Sequence, residues 1–281
     1  MEQSEIRKAV RDGYGKIAKN SGRCCLPGAS CGCGGGGSSV EEISTGVGYS
    51  PEEMKSVPEG ANLGLGCGNP VALASLREGK TVVDLGSGAG FDAFLAARAV
   101  GKGGRVIGVD MTPEMIDKAR GNAQKGDYGN VEFRLGEIEN LPVADESADA
   151  IISNCVINLS PDKGRVFREA FRVLRPGGRL MVSDLVLLNR LPDELAKSVE
   201  AYVGCLAGAT MKADYLREIR EAGFAEVQIV GETTFPVSDL IDHPAVKEVL
   251  SQGDRLEGQV AEISASIASI KVQAVKPPQR H

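Results

Sequence analysis

Two sets of residues in this sequence could do chemistry. One is a glycine loop, Asp84-Leu85-Gly86-Ser87-Gly88-Ala89-Gly90, and the other is three scattered cysteines, Cys67, Cys155 and Cys205. Between a strand and a helix, glycines let the backbone approach a ligand closely, and the free N–H groups of the helix start face its anionic part. About twenty residues past Gly90 stands Asp110, a carboxylate suited to the paired hydroxyls of a ribose. The spacing is G-x-G-x-G and not the dinucleotide G-x-G-x-x-G, so a nicotinamide or flavin reading loses support. A nucleotide-type cofactor of another kind fits better; a tight structural turn followed by an acidic strand end is the alternative.

The thiols suggest an acceptor. Cys67 lies in a Gly-rich turn, Leu63-Gly64-Leu65-Gly66-Cys67-Gly68-Asn69-Pro70, where filling a core is implausible. Cys155 follows an apolar strand, at the carboxyl edge where α/β sheets bind ligands. Cys205 falls in a helical stretch beyond the fifth expected strand. One cysteine alone is ordinarily a small buried hydrophobe. Three that border one cleft describe a soft, trigonal site, which selects thiophilic centres over magnesium or calcium. Their separations, 88 and 50 residues, do not match the closely paired ligands of zinc fingers or ribbons.

These groups need a scaffold, and 281 residues with 42% hydrophobic content can bury one large domain or two small ones. No apolar run approaches the ~20 residues of a membrane span, and Met1-Glu2-Gln3-Ser4-Glu5 lacks the features of a signal peptide. The expected compartment is therefore the cytoplasm, where seven cysteines stay reduced and form no disulfide framework. A net charge of −6 without a basic cluster argues against nucleic acid and suits a cationic cofactor.

Helical spacing of Ile6, Val10, Tyr14 and Ile17 predicts a short amphipathic helix over residues 5–19. Residues 20–39 turn to Gly, Ser and Cys and read as a loop carrying Cys24, Cys25, Cys31 and Cys33. Ser50-Pro51-Glu52-Glu53 is a capping box that starts a helix at Pro51. Strands are expected at 81–85, 105–110, 131–135, 148–154 and 179–185. Helices are expected after Gly90, after Thr112-Pro113 and from Ser160-Pro161. Such βα repeats imply a mostly parallel sheet covered on both faces. Residues 186–222 read as helical, with Leu191-Pro192-Asp193-Glu194 opening one segment, and residues 224–230 and 267–275 as a closing antiparallel pair. His243-Pro244 opens a further helical stretch between them.

Over residues 75–185 the chain resembles the class I S-adenosylmethionine-dependent methyltransferases, through Val82 to Gly90, Val109-Asp110, Asn140-Leu141-Pro142 and Leu174-Arg175-Pro176-Gly177-Gly178. The resemblance implies an α/β, Rossmann-like fold. It places Gly86, Ser87 and Gly88, with Gly90 closing the loop, against the methionine part of the cofactor, Asp84 at its amino group, Asp110 on the ribose and Met111 against the adenine. Glu137 and Ile138 would line the far side of the adenine, Asn154 would lie beneath the sulfonium, and Tyr14 would cover the cofactor or merely pack its helix to the sheet.

The resemblance narrows to the arsenite methyltransferases through Val10-Arg11-Asp12-Gly13-Tyr14-Gly15-Lys16, the Cys67 turn, Ser153-Asn154-Cys155-Val156-Ile157-Asn158-Leu159, and Cys205-Leu206-Ala207-Gly208-Ala209. In that family, cysteines at the places of Cys67, Cys155 and Cys205 bind trivalent arsenic. A further N-terminal cysteine takes part in redox steps; Cys24 or Cys25 fits, and Cys31-Gly32-Cys33 is a second pair within reach. The implied organisation is an N-terminal helix and Cys/Gly-rich loop (1–66), a cofactor domain (67–188) and a C-terminal arsenite-binding part closing the sheet (189–281). The implied partners are arsenite and methylarsenicals, with thioredoxin or glutathione as reductant, and nothing demands more than a monomer.

The chemistry agrees with what the chain lacks. Methyl transfer to oxygen or nitrogen usually needs a base, and the only histidines are His243 and the terminal His281. Arsenic held by thiolates has a lone pair and no proton to lose. Two other classes stay open: a methyltransferase for a small organic acceptor such as a quinone precursor, and a non-catalytic metalloid or zinc binder on a cofactor fold.

Overall fold

A computed structural model describes residues 2–19, 40–191, 205–234 and 263–278. Seven strands form one sheet in the order β3-β2-β1-β4-β5-β7-β6: β1 (Thr81–Leu85), β2 (Arg105–Asp110), β3 (Val131–Leu135), β4 (Ala148–Asn154), β5 (Leu174–Leu187), β6 (Ala225–Thr234) and β7 (Ile267–Val275). The first five run parallel, and β7 enters antiparallel between β5 and β6. This is the mostly parallel, Rossmann-like sheet of a class I methyltransferase, with the closing antiparallel pair in place.

Helices cover both faces because the inner strands are apolar on both. Against one face pack α5 (Phe91–Val100) and α6 (Pro113–Lys125), where Phe94, Ala97, Ile116 and Ala119 are buried with Val82 and Ile152. Against the other pack α7 (Lys163–Val173) and α8 (Lys212–Glu221), where Phe167, Ala170, Tyr215 and Ile219 meet Leu180 and Val182. Tyr215 and Phe167 contact edge to face, with ring centroids 5.4 Å apart.

Upstream of the sheet lie α1 (Gln3–Lys19), α2 (Val40–Gly46), α3 (Pro51–Lys55) and α4 (Pro70–Leu73). The expected capping box at Ser50 is formed: its side chain accepts from Glu53 N at 3.1 Å, and Glu53 Oε2 accepts from Ser50 N at 2.8 Å. In α4, Asn69 caps by accepting from Ala72 N at 3.0 Å, ahead of Pro70. That four-residue turn fixes the exit of the chain just past Cys67.

Three expectations need correction. Helix α7 begins at Lys163, not at Ser160-Pro161. Ser160 instead gives its hydroxyl to Glu139 at 2.8 Å, and Asp162 caps the helix by accepting from Arg165 N at 2.9 Å. Strand β5 starts at Leu174 instead of Arg179, because a register shift between Ala148 and Ala150 absorbs the Pro176-Gly177-Gly178 stretch into the ladder. Residues 186 and 187 continue β5 instead of opening a helix, while α8 lies within the expected 186–222 region and ends before Gly223 at a φ of 106°. Leu191-Pro192 and His243-Pro244 fall wholly or partly outside the described residues.

Candidate active site

At the carboxyl ends of β1, β2 and β4 opens a cleft, roofed by α1 through Arg7, Val10 and Tyr14. The glycine loop forms its floor. Gly86 N and Ser87 N donate to Val109 O at 2.8 and 3.0 Å, which hooks the loop onto β2. Gly86 has a φ of 65°, and a Cβ there would stand 2.3 Å from Val156 Cγ2, so both conformation and space require glycine. Gly88 N donates to Asp110 Oδ2 at 3.0 Å, while Asp110 Oδ1 accepts from Thr112 N at 2.8 Å. Asp110 thus ties the loop to the start of α6 while facing the cleft.

The cleft is electrostatically one-sided. Asp84, Asp92, Asp110 and Glu139 line it, against Arg7 as the one basic side chain among the described lining residues. Burial pushes the Asp84 carboxyl well above the usual carboxylate range, and the nearby charges of Asp92 and Asp110 push it further. Burial likewise raises Asp92 to about 6, against hydrogen bonds from Tyr49 and Asn154 that favour its ionised form. Two atoms at the floor, Asp84 Oδ2 and Ser87 Oγ, are buried with no hydrogen-bond partner among the described residues. Unmet acceptors in an acidic cleft fit a ligand that carries a positive charge and N–H donors.

The remaining expected contacts divide. Met111, Ile138, Asn154 and Tyr14 line the cleft. Glu137 does not; its carboxylate lies 3.5 Å from Arg7, and its neighbour Glu139 lines the cleft in its place. Gly90 sits just behind the lining, in left-handed conformation at the cap of α5.

The three expected thiols converge beside the cleft. Cys67 and Cys155 are joined as a disulfide, with Cα atoms 5.8 Å apart. Cys205 donates its thiol to Cys155 O at 3.1 Å. Cys155 also lines the cleft, so the thiol cluster and the cleft share a wall. The Cys67 turn is held close to the sheet: a Cβ at Gly68 would lie 1.8 Å from Ser183 Oγ, and the Cys67 carbonyl accepts from Ser269 Oγ at 3.0 Å. Burial pushes the Cys205 thiol up to about 12, with the Asp184 charge adding to it and a hydrogen bond with Tyr14 opposing it. It is a neutral thiol near pH 7. Cys24, Cys25, Cys31 and Cys33 lie outside the described residues.

Three residues organise the site: sequence reasoning named Asn154 only as a cofactor contact, and it missed the other two, Tyr49 and Asp184. Asn154 accepts from Cys67 N at 2.9 Å and donates to Gly68 O at 2.8 Å, Tyr49 Oη at 2.9 Å and Asp92 Oδ2 at 3.0 Å. Tyr49 donates to Asp92 Oδ1 at 2.6 Å. Asn154 therefore binds the Cys67 turn to the buried carboxylate of the cleft through one amide. The third is Asp184 of β5, whose carboxylate lies within 4.8 Å of both the Cys67 and Cys155 sulfurs. A carboxylate in the middle of an apolar strand was the available signal.

Comparison with known proteins agrees with this geometry. A family model for a methyltransferase domain matches residues 76–223. An arsenite methyltransferase of Halobacterium salinarum is 50% identical over 244 residues, covering 85% of this chain and 62% of that protein. The arsenite methyltransferase of Mus musculus is 30% identical over 292 residues, covering 99% of this chain and 71% of that one. A crystal structure of an arsenic(III) S-adenosylmethionine methyltransferase from Chlamydomonas reinhardtii is 34% identical, with a TM-score of 0.63 over 86% of this chain and 75% of that one. The chain thus spans about two thirds of the length of these curated relatives. Among the described residues, no helix is long and apolar enough to cross a membrane.

Proposed function

Because this chain belongs to the arsenite methyltransferase family, we propose that it transfers the methyl group of S-adenosylmethionine to trivalent arsenic, in arsenic detoxification. The observation that carries the reading is the convergence of Cys67, Cys155 and Cys205, distant in sequence, on the wall of a cleft floored by the Gly86-Ser87-Gly88 loop.

When bound, S-adenosylmethionine supplies a sulfonium methyl group open to nucleophilic attack. Asp84 would hold the ammonium of its methionine part, Gly86, Ser87 and Gly88 its carboxylate side, Asp110 the ribose hydroxyls, and Met111 with Ile138 the adenine. Tyr14 and α1 cover the cleft and exclude water. Asp92 supplies negative charge that draws a cationic ligand in, and an ammonium beside Asp84 would favour the ionised form that burial disfavours.

The thiol site acts on arsenic as substrate. The Cys67–Cys155 bond must first open, taking two electrons and two protons from thioredoxin or glutathione. Arsenite then exchanges each As–O bond for an As–S bond, and each thiol proton leaves with its hydroxide as water. A neutral Cys205 suits that exchange, since no free thiolate has to be stored. Three sulfurs would leave the arsenic lone pair free to attack the sulfonium methyl, with the departing sulfide taking the C–S electron pair, so catalysis consists of alignment, with effective molarities of order 10⁵ M or more available from positioning. The pentavalent product regains two electrons as two thiols become a disulfide, Cys24 or Cys25 among them. A reducing, cytoplasmic setting and a monomeric chain complete the proposal, in the three-part division 1–66, 67–188 and 189–281.

The test is arsenic speciation by liquid chromatography with elemental mass detection, after incubation of the protein with arsenite, S-adenosylmethionine and thioredoxin or glutathione. Methylated arsenic is expected. Unchanged arsenite with intact cofactor binding would reject the reading in favour of a small organic acceptor, whose methylation should survive replacement of all three thiols.

A further inference from the structure

The Asp184 carboxylate has no part in the methyl transfer described above, yet it stands among the thiols. It is fully buried, and one of its carboxylate oxygens lies within 4.8 Å of the Cys67 and Cys155 sulfurs. It is also firmly aimed. Oδ1 accepts from Asn158 Nδ2 at 2.8 Å and from Leu185 N at 3.0 Å, and Oδ2 accepts from Tyr215 Oη at 3.0 Å, its one partner among the described residues. Oδ2 keeps capacity for another partner.

Trivalent arsenic does not call for this oxygen, because three soft sulfurs complete its trigonal pyramid. A borderline divalent cation does: zinc takes four donors in a tetrahedron and accepts thiolate and carboxylate together. The donors sit on three elements already tied together. Cys67 N is bonded to Asn154 on β4, and Cys155 N donates to Ser183 O on β5 at 2.8 Å. Tyr215 and Asn158 form the outer shell that such sites use to fix a ligating carboxylate.

We propose that the reduced protein binds one Zn²⁺ or Cd²⁺ through Cys67, Cys155 and Asp184, with water in the fourth position. Each cysteine gives its proton to solvent as it ligates. The cation and arsenite then compete for the same sulfurs, and a bound cation holds Cys67 and Cys155 apart from disulfide formation. The site does not depend on the arsenic reading.

The experiment uses the full chain, reduced with a phosphine, in a background where Cys24, Cys25, Cys31 and Cys33 are serine. Co²⁺ serves as the spectroscopic probe. One tetrahedral Co²⁺ per chain with sulfur-to-metal charge transfer is expected, displaced by Zn²⁺ and by one equivalent of arsenite. Asp184→Asn should weaken Co²⁺ and Zn²⁺ by about tenfold or more and leave arsenite binding little changed. Absence of the tetrahedral spectrum, or unchanged affinity in Asp184→Asn, overturns the proposal. Retained S-adenosylmethionine binding shows that a variant is folded; if Asp184→Asn fails that check, Cys67→Ser decides, since persistence of the tetrahedral band there is equally fatal. A protein that binds Co²⁺ as described yet methylates no arsenite would count against the proposed function alone.

Discussion

Cys205 donates its thiol to the backbone carbonyl of Cys155 across 3.1 Å, and both residues hold left-handed backbone, with φ of 66° and 54°. Non-glycine residues in that region cost on the order of 1 kcal/mol or more and persist where surrounding structure demands them. Cys155→Ser and Cys205→Ser should each lower arsenite methylation by more than the roughly 10–100-fold that outer-shell groups cost. S-adenosylmethionine affinity should stay within about twofold, because the glycine loop and Asp110 are untouched. Isothermal titration alongside single-turnover methylation checks both, and full activity in either variant would falsify the three-thiol site.

Asn154 offers a way to disturb Cys67 without touching a sulfur. Its amide joins the Cys67-Gly68 backbone to Tyr49 and Asp92. Asn154→Ala leaves the Cys67 N–H and the Asp92 carboxylate short of partners in buried surroundings, at about 1–3 kcal/mol for each group stranded. The expected result is a lower melting temperature and an arsenite Kd raised by about tenfold. Tyr49→Phe removes only the 2.6 Å bond to Asp92 and the acceptor for Asn154, so its effect should point the same way and be smaller. Equal arsenite Kd values in wild type and Asn154→Ala would show that the turn holds itself.

How much of this was legible in the sequence depended on whether a residue's role is local. The bounds of β1 through β3 follow from apolar runs closed by glycine or aspartate, and those of β4 from an apolar run that ends at Asn154. The capping box at Ser50 also follows, because its partners lie three residues apart. The start of β5 does not, since a bulge opposite Ala148 lets Leu174 join the ladder through a Pro-Gly-Gly stretch that reads as a turn. Cys67, Cys155 and Cys205 could be named as a set, but not Asp184, whose meaning comes from residues 117 and 29 positions upstream that only the fold brings near. Asn154 was legible as a strand-end residue, and it lines the cleft; its grip on the Cys67 turn, 87 residues away, was not legible.

Gly86 tests the floor of the cleft. Alanine there must hold a φ of 65° and place its Cβ 2.3 Å from Val156 Cγ2. Val156 adjoins Cys155, so the displacement reaches the thiol site as well as the cofactor loop. Gly86→Ala is expected to destabilise the protein by about 1–3 kcal/mol and to weaken S-adenosylmethionine by at least about tenfold. Chemical denaturation and cofactor titration measure the two effects separately. Wild-type cofactor affinity in this variant would mean that the loop is a structural turn only.

Asp92 gives the site a pH dependence whose sign can be worked out. Burial lifts its carboxyl from an ordinary value of 3.8 to about 6 in the folded chain. Between those values the folded state binds more protons than the unfolded state, so this group's contribution to stability declines as pH rises from about 4 to about 6 and is level above. The span corresponds to about 3 kcal/mol at most. Cofactor affinity runs the other way, because a cationic ligand gains as the carboxylate ionises. S-adenosylmethionine should therefore bind more tightly as pH rises through about 6, with proton release in the acidic range detectable by calorimetry in buffers of different ionisation enthalpy. Asp92→Asn should flatten both profiles. If cofactor affinity in the wild-type protein is constant from pH 5 to about 7.5, Asp92 lines the cleft without contributing charge to it.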